Sequence, residues 1–144
     1  MRIGREADDF LQRGIPMKSI SVWGAVILGV AAALFAQNPG LQRTILQRKD
    51  ISIPGREAVV AKVELAPGSF AGRHTHPGEE ISYVLEGQGA ILIDGEPALK
   101  IKAGDSVIIP SGVIHDAHNT GTQPLKLVGV YVVDKSKPLA TPAH

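Results

Sequence analysis

The stretch RHTHPGEEISYVLEG, Arg73 to Gly87, decides the fold. Side chains on a strand alternate between faces, so His74 and His76 project from one face, their alpha carbons about 6.5 Å apart at a rise of about 3.3 Å per residue. Pro77 and Gly78 then turn the chain, and Glu80 can return its carboxylate to the same face. Ile81 to Leu85 reads as a strand that ends at Gly87. The polar chemistry is thus concentrated at a corner between two strands.

A fourth candidate lies in GDSVIIPSGVIHDAHN, where Gly104, Pro110 and Gly112 shape the backbone and His115 sits on a strand. Barrel closure would bring it opposite the first three. Three neutral imidazoles and one carboxylate suit a single divalent transition ion, Mn, Fe, Ni, Cu or Zn, and an octahedral ion so held keeps two positions for water, substrate or dioxygen.

The rest of the chain breaks into short runs punctuated by Pro and Gly, with no long helical period. Ala58 to Ala66, Ser106 to Ile109, Val113 to Ala117 and Leu125 to Val133 read as strands. Ala90 to Ile93 and Ala98 to Lys102 flank Asp94 and Gly95, a pair suited to a tight hairpin. Short strands at turn-like intervals predict an all-β antiparallel sandwich or barrel. KSKPLATPAH at the C-terminus reads as a mobile tail or a strap across a surface.

These residues carry a family resemblance. Gly68, His74, His76, Glu80 and Gly87 resemble, with their spacing, the complete first motif of the cupins, and Gly104, Pro110, Gly112, His115 and Asn119 the second. The resemblance implies a double-stranded β-helix, or jelly-roll, barrel of six to eight strands over residues 42 to 133, often a homodimer. It also implies that His74, His76, Glu80 and His115 ligate the metal. For the reaction it is weak, because the family includes dioxygenases, lyases, isomerases and noncatalytic binders of small molecules. The expected function is a metal-dependent enzyme of dioxygenase type on a small organic substrate. The alternatives are a noncatalytic small-molecule or metal binder, and a metal-dependent lyase or isomerase.

Other polar residues have plainer readings. Parity turns Glu79 outward and Arg73 and Tyr83 away from the site, and His118 reads as a surface histidine. Asn119 serves a turn. The part after residue 36 has only Phe70, Tyr83 and Tyr131 as aromatics, so a small or aliphatic ligand fits better than a flat polycyclic one.

The N-terminal part reads as an address. Ser19 to Gln42 carries no charge, and SISVWGAVILGVAAALFA is dense in apolar and small side chains. With Lys18 before it and Ala36 at a plausible cleavage position, residues 1–36 are expected to be a signal peptide, or failing cleavage an apolar anchor helix, with the true start at Met17 an option. A linker over 37–41, the barrel over 42–133 and a tail over 134–144 complete the expected organisation. The barrel would be periplasmic or secreted, touching a membrane only through an uncleaved N-terminal segment.

Composition narrows the partners. Fifteen Lys and Arg against fourteen Asp and Glu leave a formal charge of +1, and residues 37–144 hold eleven of each. That balance lacks the basic excess of nucleic-acid binders. The absence of cysteine excludes disulfides, thiolate ligands and a thiol nucleophile. With imidazole ligands, metal is expected to leave as the pH falls past about 5 to 6.

Overall fold

The computed structural model describes residues 38–144, so the expected signal or anchor segment lies outside the described residues. Within them the regular structure is all strand: β1 (Leu41–Asp50), β2 (Arg56–Leu65), β3 (His74–Thr75), β4 (Gly78–Glu86), β5 (Gln88–Ile93), β6 (Leu99–Lys102), β7 (Ser106–Ile109), β8 (His115–His118), β9 (Leu125–Asp134) and β10 (Thr141–Pro142). They form two five-stranded sheets, ordered β1-β2-β9-β4-β7 and β10-β3-β8-β5-β6. Neighbouring strands pair antiparallel. Non-consecutive strands lie side by side in both, as a jelly roll requires.

Alternation explains the packing. In β2 and β9 every second residue is buried, so Val59, Ala61, Val63 and Leu65 face inward beside Leu125, Leu127, Tyr131 and Val133, while Lys62, Glu64 and Lys126 lie on the other face. Full burial of each valine or leucine among them stabilises the fold by about 1.5–3 kcal/mol. The core has two parts. The larger joins Val63, Leu65, Val84, Ile91, Ile101, Val107, Ile109, Leu125 and Leu127. The smaller joins Val59, Ala61, Tyr131 and Val133, with Leu139 packed against it.

Several segments depart from the expectations. β1 begins at Leu41, and its alternation is confined to its first four residues: only Leu41 and Arg43 are partly buried, and a register shift follows between Ile45 and Gln47. Asp94 and Gly95 form the expected turn between β5 and β6, with Gly95 at a φ of 80°, but the ladder closes later than expected. Glu96 N bonds to Ile93 O at 3.0 Å, but Pro97 has no N–H for the ladder, so pairing resumes only at Leu99. β8 starts at His115 instead of Val113, because Val113 N closes a turn onto Pro110 O. Of the two readings of the C-terminus, the strap is the one observed. Thr141 and Pro142 lie opposite Thr75 and His74, and Ala143 N bonds to Arg73 O at 2.9 Å.

Candidate metal centre

Both sheets contribute to the centre. His74 on β3 lies directly opposite His115 on β8, so their side chains stand side by side on one sheet. Glu80 comes from β4 on the other sheet, opposite Tyr131 of β9. His76 lies just beyond β3, where the chain crosses between sheets. That crossing is held firmly: His76 O accepts from Gly112 N, and Pro77 O accepts from Asp134 N and Arg56 Nη1, all at 3.0 Å. Gly78 follows because nothing larger fits; a Cβ there would meet Val132 O at 2.0 Å.

The structure brings His74, His76, Glu80 and His115 together, with one donor atom from each lying within 4.8 Å of all the others. Their hydrogen bonds fix what each atom offers. His74 Nδ1 contacts Gly72 O at 2.6 Å, His76 Nδ1 contacts Leu139 O at 2.6 Å, and His115 Nδ1 contacts Val113 O at 2.9 Å. A carbonyl only accepts, so each Nδ1 carries the proton and donates. The three Nε2 lone pairs are left to face one another and the carboxylate: His74 Nε2 is 3.1 Å from His76 Nε2, and Glu80 Oε2 lies 2.9 Å from His76 Nε2 and 3.2 Å from His115 Nε2. Four acceptors converge without a donor among them. Such a set fits a cation, and its outer contacts to carbonyls orient the rings as metal-bound imidazoles are oriented.

Titration follows the same geometry. Burial pushes the His74 imidazole down to about 4. Burial alone would raise the Glu80 carboxyl, but the hydroxyl of Ser82 donates to it and its close contacts with the His115 and His76 rings favour the charged pair, which together hold Glu80 well below the usual carboxylate range. Burial opposes charge on His115 too, yet its contact with Glu80 raises it above the ordinary histidine value. That contact favours the protonated ring, so a proton on His115 would compete with a cation for the same place. Tyr131, its ring 4.7 Å from His76, is pushed upward by burial and by the Glu80 charge, and stays a neutral phenol.

The remaining expectations sort clearly. Glu79 is exposed, Tyr83 is half exposed, and Arg73 pairs with Asp94 at the surface. His118 faces away from the centre as expected, but it is half-buried instead of a free surface residue, stacked on Phe70 at 3.9 Å and 5°. An antiparallel backbone bridge between Phe70 and His118 sets the two rings side by side.

Other participants escaped the sequence reading. Ser82 donates to Glu80 Oε1 at 2.6 Å, and its place two residues along the same strand was the available signal. Buried Asp116 accepts a hydrogen bond from Gly72 N at 2.8 Å, fixing the residue whose carbonyl takes the His74 Nδ1 proton. Leu139 acts through its carbonyl, and Arg43 enters from β1. With Val63, Ile91, Ile109, Leu127 and Tyr131, Arg43 lines a cavity of about 30 Å³ beside the cluster.

The Cupin domain family model matches residues 61–132, half of the chain. The chain is 40% identical over 74 residues to the oxalate-binding protein of Thermotoga maritima, a match covering 51% of this chain and 60% of that one. It is 30% identical over 83 residues to the acireductone dioxygenase of Rhodopseudomonas palustris, covering 52% and 50%. The chain spans about half the length of the curated relatives it matches. An uncharacterized conserved protein with a double-stranded beta-helix domain from Klebsiella pneumoniae has the same fold, with a TM-score of 0.63 over 74% of this chain and 87% of that one at 23% identity.

Proposed function

This chain belongs to the cupin family, and on that premise we propose that it is a metal-dependent enzyme of dioxygenase type acting on a small organic substrate. One observation carries the proposal: every Nδ1 proton is spent on a carbonyl, so four acceptors face inward beside a cavity. His74, His76, Glu80 and His115 would hold one divalent transition ion, Mn, Fe, Ni, Cu or Zn. When bound, the ion supplies Lewis acidity or an electron relay. Tyr131 can donate a hydrogen bond as a neutral phenol, Ser82 fixes the Glu80 carboxylate, and the apolar walls exclude bulk water. The likeness to acireductone dioxygenase supports this class.

A second reading, noncatalytic binding of a small molecule, is favoured by the likeness to an oxalate-binding protein. Oxygen uptake by the metal-loaded protein across a panel of diketones, flavonols, thiols and sulfonium acids separates the two. Consumption of dioxygen with product is expected; tight binding without turnover selects the second reading. Turnover without dioxygen selects a lyase or isomerase.

We place the barrel outside the cytoplasm on the strength of the apolar segment before Gln37. Retained Trp23 fluorescence in secreted material would contradict cleavage. A homodimer has a surface available to it: Ile108, Ile81, Val130 and Val60 lie abreast across four strands on the outer face of one sheet, with Ile108 65% exposed. A monomer by light scattering would count against pairing through it.

A further inference from the structure

Arg43 has no part in the acceptor cluster, yet its side chain lines the cavity beside it. It stands opposite Val63, another lining residue, on the last inward-facing position of β1 before the register shift. Among the described residues its Nε is buried without a hydrogen-bond partner. Glu80, the other charged residue of the cavity, is committed to His76, His115 and Ser82. The remaining walls are the apolar Val63, Ala71, Ile91, Ile109, Ala117 and Leu127 and the Tyr131 hydroxyl, which is within hydrogen-bonding reach of the guanidinium but, as a neutral phenol, leaves its charge uncompensated.

A guanidinium nitrogen buried against an apolar wall is normally paired, because uncompensated charge there is costly. Here the imbalance grows when the centre is loaded, since a divalent ion and a guanidinium share a cavity with one carboxylate. A positive surplus of this kind calls for an anion. The planar fork of donors on arginine matches a carboxylate.

We propose that Arg43 recognises the ligand, and that the ligand is a short-chain carboxylic acid whose carboxylate enters the cavity between the guanidinium and the His74–His76–Glu80–His115 cluster. The inference rests on the metal-centre reading for that cluster and adds the substrate class. Size agrees with it: about 30 Å³ holds a group on the scale of two waters, enough for a carboxylate head but not a bulky chain. Arg43 acts on His74 and Tyr131 through its charge as well, which places the guanidinium among the groups the ligand would meet.

The test is calorimetry on the full-length protein, metal-free and Mn-loaded, titrated with oxalate and with its uncharged diamide. Arg43→Gln and Arg43→Lys are carried alongside, with metal affinity and melting temperature measured for each. The loaded protein is expected to bind oxalate and to ignore the diamide. Arg43→Gln should weaken oxalate at least thirtyfold and Arg43→Lys about tenfold, since lysine keeps the charge but loses the fork, while metal affinity stays within threefold. Equal oxalate affinity in the wild type and in Arg43→Gln overturns the inference and leaves the metal centre standing. If Arg43→Gln does not fold, equal affinity in Arg43→Lys overturns it. Failure of the wild type to take up any metal overturns the functional reading instead. Arg43 is then judged on the metal-free protein, where oxalate binding that Arg43→Gln abolishes supports it and no binding refutes it.

Discussion

Asn119 and the His74–His76–Glu80–His115 cluster are both buried polar groups from the same two sequence motifs, and they are built on opposite principles. Asn119 is fully buried and closed on itself. Its Nδ2 donates to Leu65 O at 2.9 Å and Gln123 O at 2.8 Å, its Oδ1 accepts from Gly121 N, and its backbone bonds to Ser69 and Gly68. Every capacity is met by protein. In the cluster the donors are used up on its rim and the acceptors are left facing each other. Burial and polarity do not distinguish structure from function here; the balance of donors and acceptors does.

The sharpest test of that contrast removes one member from each. His115→Ala should weaken metal binding on the order of a thousandfold, given that about 10–16 kcal/mol is shared among four ligands, while the melting temperature of the metal-free protein changes little. Asn119→Ala should do the reverse, costing about 3 kcal/mol of stability through the stranded carbonyls and amide, with metal affinity retained in the folded fraction. Chelator competition and thermal melts read both. A large loss of metal-free stability in His115→Ala would erase the distinction.

A milder test acts on the rim. Truncation after Pro138 removes the Leu139 carbonyl that takes the His76 proton, and should lower metal affinity about 10–100-fold without unfolding the barrel. Unchanged affinity would show that His76 is oriented without the strap.

The smallest effect is titration. Metal needs neutral imidazoles, and in the metal-free protein His115 is raised above its ordinary value while His74 is lowered to about 4. The proton on His115 therefore competes first, beginning above the ordinary histidine range, and His74 adds no competition until well below it. Apparent affinity should fall about tenfold per pH unit once pH drops through the raised His115 value. This places the onset higher than unperturbed imidazoles would. Affinity flat from pH 8 to 6 would contradict it.

Strand parity and motif spacing made the four cluster residues legible in the sequence, and Tyr83 and Glu79 followed by the same rule. β2, β7 and β9 were legible because their alternation survives from end to end. Arg43 was not, because β1 presents only two inward residues before its register shift, too few to mark a strand. Leu139 and Gly72 contribute carbonyl oxygens, which every residue possesses and no side chain advertises. Asp116 was hidden for a related reason, since it works through the Gly72 amide. The Asp94–Gly95 turn was legible and formed, with Glu96 N bonded to Ile93 O, but Pro97, which lacks an N–H, holds off ladder pairing until Leu99.

The centre also has a mechanical consequence. Glu80 belongs to one layer of the barrel, His74 and His115 to the other, and the chain has no cysteine with which to bolt those layers together. An ion gripped there would rivet them, and the rivet would tighten with metal concentration, because binding to the native state alone stabilises it by mass action. For such a chain, scarcity of metal would loosen the shell itself as well as silence its chemistry.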